Sequence, residues 1–131
     1  MILALLAGGT AIAAESGKKH HVVFHVTDSD PVKWYQVLNN AGNLQKNIGK
    51  ENIEIEIVAN GPGIDMLKFD TEVGNRLGDA IKQNITVYAC GATMKAVKMT
   101  EKDLYTGVKV VPGGVIEIMH KQEAGWTYLK I

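Results

Sequence analysis

Cysteine is almost missing from this chain: Cys90 is the only one in 131 residues. No disulfide can close within the molecule, and a zinc site built on several thiolates is excluded. Net charge is missing too. Fourteen Lys and Arg offset fourteen Asp and Glu, so no global field draws in nucleic acid or anionic lipid. Aromatic residues make up only 6%, too few for a platform on which bases would stack. Repeats, low-complexity stretches and linkers are also lacking. At 14.2 kDa the chain is one domain with enough residues to bury its own core. No Ser-His-Asp arrangement and no carboxylate pair stands out, which argues against an enzyme of broad turnover.

What is present begins with an apolar leader. Met1 to Ala14 carries no charge and ends in small residues, with Ala11-Ile12-Ala13 giving an A-x-A pattern and Ile12-Ala13-Ala14 a second register. This is the composition of the apolar core and cleavage region of a secretory signal, without its basic start. It is too short for an ordinary membrane span. The expectation is a leader over 1–14, a mature domain over 15–131, and a periplasmic or otherwise exported location.

The remainder alternates strand and helix patterns. His20 to Val26 is a first strand, broken at Thr27-Asp28-Ser29-Asp30-Pro31, where Ser29 or Asp30 caps a helix that Pro31 opens. Trp34, Val37, Leu38, Ala41, Leu44 and Ile48 recur at helical spacing until Gly49. Ile53 to Ala59 alternates Ile with Glu54 and Glu56, the pattern of a strand near a sheet edge or with one flank exposed. Asn60-Gly61-Pro62-Gly63 is a turn, and a helix is expected over Glu72–Gln83. Ile85 to Cys90 is a buried strand, and a short helix follows from Ala92. Thr100 to Leu104 suits a cap and one helical turn. Val108–Val111 and Trp126–Ile131 are strands, separated by a helix over Val115–Glu123 that stops at Gly125. Five strands separated by helices imply an α/β domain with a mostly parallel sheet and helices on both faces.

In such sheets ligands lie outside the carboxyl ends of the strands. His25 to Ser29, Asn60 to Gly63, Cys90 to Thr93 and Pro112 to Gly114 gather there as one candidate site. Cys90 ends a strand and precedes a helix, among unpaired backbone N–H groups that favour the thiolate, the form that attacks sulfur. It is the candidate nucleophile; the alternative is a small buried hydrophobe closing a core strand. Thr93 either caps the helix or hydrogen-bonds the sulfur. His25 is a base, a supporting partner, or a histidine bonded to backbone on an inward strand face. Asn60, Gly61 and Gly63 offer backbone N–H groups and room, without the spacing of a Walker loop or a dinucleotide fingerprint. Gly91 and Gly113 complete the supporting set. Asp65 is expected to cap a turn and His120 to lie on the surface. Asn39, Asn40 and Asn43 are expected to satisfy loop backbone or line a subunit contact, and Trp126 and Tyr128 to pack in the core or an interface.

The order of these signals resembles the DsrE/DsrF-like family, a sulfur-relay group that includes the YchN-like proteins. The residues that carry the likeness are Trp34 with Leu38-Asn39-Asn40-Ala41-Gly42-Asn43, then Val58 to Ile64 and Val87 to Met94. Gly107 to Gly114 and Gln122 to Tyr128 complete it. The resemblance implies a five-stranded α/β fold and a trimer or hexamer. It also implies that Cys90 takes up sulfane sulfur as a persulfide from a donor, a protein or small sulfur compound, and passes it to an acceptor. No metal or cofactor is expected. The alternative is a non-catalytic module of the same fold that binds a small ligand or metal and keeps Cys90 as a structural residue.

Overall fold

The computed structural model describes residues 19–131. The leader expected over 1–14 lies outside the described residues. Strands β1 (His20–Val26), β2 (Ile53–Ala59), β3 (Thr86–Cys90), β4 (Lys109–Val111) and β5 (Thr127–Lys130) form one sheet in the order β4-β3-β2-β1-β5. Every pairing is parallel. The helices are α1 (Pro31–Ile48), α2 (Gly74–Lys82), α3 (Gly91–Ala96) and α4 (Gly114–Glu123). No helix among the described residues is long and apolar enough to cross a membrane.

The strand order dictates where the helices lie. From β1 to β4 the chain steps in one direction across the sheet, and α4 then carries it back past β1 to β5. With crossovers of one hand, that reversal sends α4 to the face opposite the other helices. Packing follows suit. Phe24, Ile55, Ile57 and Val87 bury against Trp34, Val37, Leu77 and Met94, while Val23 and Val58 pack beneath Ile118 of α4. Each such aliphatic side chain contributes about 1.5–3 kcal/mol of burial.

Helix α1 begins where its sequence says it should. Asp30 accepts the Val32 N–H at 3.0 Å, Pro31 occupies the first turn, and the Trp34 indole N–H donates to the Asp28 carbonyl at 2.7 Å. Asn60-Gly61-Pro62-Gly63 does more than turn the chain: it opens a 3-10 segment over Gly61–Leu67. Gly63 is required there, because a Cβ at this position would collide with the Val26 carbonyl oxygen of the neighbouring strand loop. The capped turn at Thr100 forms as expected, with Thr100 and Asp103 exchanging hydrogen bonds.

One expectation fails. The alternation of Ile with Glu54 and Glu56 pointed to an edge strand or an exposed flank, but β2 is the central strand of five. Glu54 is exposed, as anticipated, whereas Glu56 is only 4% exposed. Helix α4 covers that flank, and Lys121 reaches down to the Glu56 carboxylate at 3.0 Å.

Candidate functional site

The reversal in strand order creates a crevice. The connection after β3 enters α3 on one face, and the connection after the adjacent β4 enters α4 on the other. Their carboxyl ends are therefore the topological switch point, where parallel sheets bind ligands. Cys90 is the last residue of β3 and lies buried at this switch point. The two loops touch: the Ala92 N–H donates to the Pro112 carbonyl at 3.1 Å, and a Cβ on Gly91 would come within 2.9 Å of the Val111 carbonyl oxygen.

The Cys90 sulfur accepts the Gly114 N–H at 3.2 Å. Gly114 is the first residue of α4, so this donor is one that the helix itself leaves free. Only glycine fits. A Cβ at position 114 would lie 3.1 Å from Val58 Cγ1, 3.2 Å from Cys90 Cβ and 3.3 Å from Asn60 Cβ. Thr93 ties the neighbouring loop to the site: its hydroxyl oxygen accepts the Gly61 N–H at 2.9 Å. Burial pushes the Cys90 thiol up, but the Thr93 hydroxyl and the N–H groups of Gly114, Thr93 and Ala92 outweigh it and hold the thiol below its ordinary value. Helix α3, six residues long, supplies two of these N–H groups, and that of Ala92 also donates to the Pro112 carbonyl.

His25 stands one layer away. Its Nε2 donates to Asn60 Oδ1 at 2.7 Å, and its Nδ1 shares a hydrogen bond with the Tyr128 hydroxyl at 2.7 Å. Both ring nitrogens are thus engaged by side chains rather than by backbone or by the thiol. Asn60 stands near Cys90: a Cβ on Gly114 would lie 3.3 Å from the Cβ of the one and 3.2 Å from that of the other. Beside His25 an open groove of about 570 Å³ is lined by Val115, Ile118, Met119, Gln122 and Tyr128.

The structure therefore gathers Cys90, Thr93, Gly61, Asn60 and His25. Gly63 shapes the 3-10 segment. Gly91 permits the contact between the loops, and Gly113 caps α4 by accepting the Glu117 N–H at 3.0 Å. Sequence reasoning missed Gly114 as the donor to sulfur and Tyr128 as the second partner of His25. The first was signalled by the Gly-Gly pair before a helix; the second had no local signal, because 103 residues separate the partners. Asp65 pairs with Lys68 at 2.7 Å. His120 is exposed. Asn40 and Asn43 line a groove between α1 and β5. Trp126 and Tyr128 pack together under α4. No group of three His, Cys, Asp or Glu suited to a metal ion occurs among the described residues.

The model of the DsrE/DsrF-like family matches residues 11–131. The chain belongs to the DsrE/DsrF-like family. Among solved structures it is similar to MTH1491 of Methanobacterium thermoautotrophicum, a protein of unknown function. The two are 32% identical over 86% of this chain and 100% of that one, with a TM-score of 0.82. BT1422 of Bacteroides thetaiotaomicron, also of unknown function, is 20% identical over 85% and 94% of the two chains, with a TM-score of 0.71. The YchN protein of E. coli is 15% identical over 87% and 99%, with a TM-score of 0.69. These last two share the fold. None of the curated proteins matches the chain. Membership places the chain in a family associated with sulfur relay, and its single cysteine lies at the switch point of the family's sheet.

Proposed function

We propose that the protein carries sulfane sulfur as a persulfide on Cys90 and passes it to a partner. One observation carries the reading: the buried Cys90 sulfur at the end of β3 accepts the Gly114 N–H at 3.2 Å, and the Thr93 hydroxyl and surrounding N–H groups hold its thiol below the ordinary value. A cysteine kept only for packing has no need of that set. The Cys90 thiolate attacks the outer sulfur of a donor persulfide, the donor S–S bond breaks, and the donor leaves as a thiolate. The new Cys90 persulfide is an anion, stabilised by the donors that stabilised the thiolate. An acceptor thiolate then takes the outer sulfur and frees Cys90, with no net oxidation or reduction. Asn60 and His25 orient this group, and the donor and acceptor are proteins or small sulfur compounds.

The proposal includes assembly into a trimer or hexamer. Val115, Ile116 and Met119 on α4 and Val110 beside Gly91 are exposed apolar side chains around the mouth of the crevice. It also includes export, directed by the apolar segment over 1–14; amino-terminal sequencing of protein recovered outside the cytoplasm tests it.

The deciding experiment is intact mass after exposure to a polysulfide. The expected result is a gain of one sulfur atom that reductant removes and that is absent from Cys90→Ser. A Cys90→Ser protein that still carried labile sulfur would overturn the reading. The groove beside His25 favours a second reading, a module that binds a small ligand there without using Cys90. Loss of ligand in His25→Ala, with Cys90 inert to alkylation, would select it.

A further inference from the structure

Glu56 is a buried carboxylate that the sulfur site does not use. It sits at the centre of the sheet, beneath α4, with its side chain 5% exposed. Its Oε2 meets Lys121 Nζ at 3.0 Å, while Oε1 is buried without a hydrogen-bond partner. Lys121 also reaches Glu117 at 3.7 Å and lies 4.6 Å from the centre of the Trp126 ring. Burial pushes Glu56 up to about 7 against the pull of Lys121, and the neighbouring Glu117 carboxyl adds to the rise. The other ionisable groups on this flank are Tyr88 on β3, which burial and then Glu56 push up, and the pair of Glu54 with His21 of β1 at 3.5 Å.

Lys121 reaches Glu56 Oε2 at 3.0 Å and Glu117 at 3.7 Å, which leaves the buried Glu56 Oε1 without a donor. A proton on Glu56 supplies the missing donor, with Glu117 as its acceptor, and leaves Glu117 to pair with Lys121. Both Glu117 and Lys121 belong to α4, whose first residue donates to the Cys90 sulfur. Glu117 stands in the first turn of α4, the turn that Gly114 opens, and Lys121 in the last.

We propose that Glu56 and Glu117 share one proton beneath Lys121, and that this latch seats α4 and with it the Gly114 N–H on the Cys90 sulfur. Glu56 and Glu117 are positioning residues: neither touches the thiol. The inference deepens the sulfur reading of Cys90, but half of its test does not depend on that reading.

The test follows the full chain by thermal unfolding and by hydrogen exchange at the Gly114 amide, from about pH 5 to pH 8. The folded state keeps the Glu56 proton up to about 7, whereas the unfolded chain releases it near 4.5. The folded state therefore binds more protons in that window, and stability falls as pH rises through it. Gly114 should lose protection over the same range, beyond the intrinsic rise in exchange. Glu56→Gln keeps the side-chain shape with no proton to lose, so it should flatten both trends. It should also move the pH profile of Cys90 alkylation to lower pH, because α4 stays seated. Glu117→Gln, at the more exposed partner, should narrow the window and serves if Glu56→Gln does not fold. Trends unchanged in the variants would overturn the latch, and so would a stability trend that vanished while Gly114 exchange stayed as in the parent. A parent thiol that resists alkylation at every pH would sink the sulfur reading alone, with Gly114 exchange still deciding the latch.

Discussion

At Cys90 two opposing effects meet, and the outcome sets the chemistry. Burial favours the neutral thiol, while the Thr93 hydroxyl and the N–H groups of Gly114, Thr93 and Ala92 favour the thiolate and prevail. A hydrogen bond to a charged group is worth about 1.5–3 kcal/mol, so removing one donor is enough to show. Thr93→Val deletes the hydroxyl while keeping the branched shape. We expect the thiol to titrate at higher pH and to react several-fold more slowly with iodoacetamide at neutral pH, as read from rate–pH profiles. An unchanged profile would mean the backbone donors suffice. The thiol, Thr93 and Gly61 were legible because strand end, glycine and helix start adjoin in the sequence. The choice of Gly114 over Gly113 was not, since a one-residue difference in where α4 begins decides which amide meets the sulfur. Glu56 was illegible for another reason: Ile-Glu-Ile-Glu looks the same whether solvent or a helix covers the acidic flank.

Elements were legible where their ends carry chemical marks. Asp30-Pro31 opens α1 and Gly49, with φ of 100°, follows it; the alternation from Ile53 defines β2. The 3-10 segment over Gly61–Leu67 was not legible, because its reason lies across the sheet in the carbonyl of Val26. That dependence separates two glycines. Gly63→Ala must displace backbone and is expected to destabilise by about 3 kcal/mol or more. Gly42→Ala, inside α1 with nothing within 4 Å of the added carbon, should stabilise by about 0.5–1 kcal/mol. Chemical denaturation of both variants measures the contrast. Equal effects would show that the contact with Val26 relaxes at little cost.

For the molecule as a whole, five strands and a parallel sheet follow from the alternation of patterns, but strand order does not. The sequence contains nothing that says β5 returns beside β1, and so nothing that puts the switch point at β3 and β4. The proposed assembly is a prediction at this scale. Light scattering should give a trimer or hexamer, and Ile116→Glu with Met119→Glu should lower the mass. A parent protein that is monomeric at all concentrations would reject it. The clasp on sulfur also has a meaning in time. Gly114 lies 24 residues after Cys90, beyond α3, a capped turn and β4. While the chain is being made, Ala92 and Thr93 already adjoin the thiol, but the Gly114 contact forms only when the later segment docks. The last of the contacts on this single atom thus waits for completion of the fold.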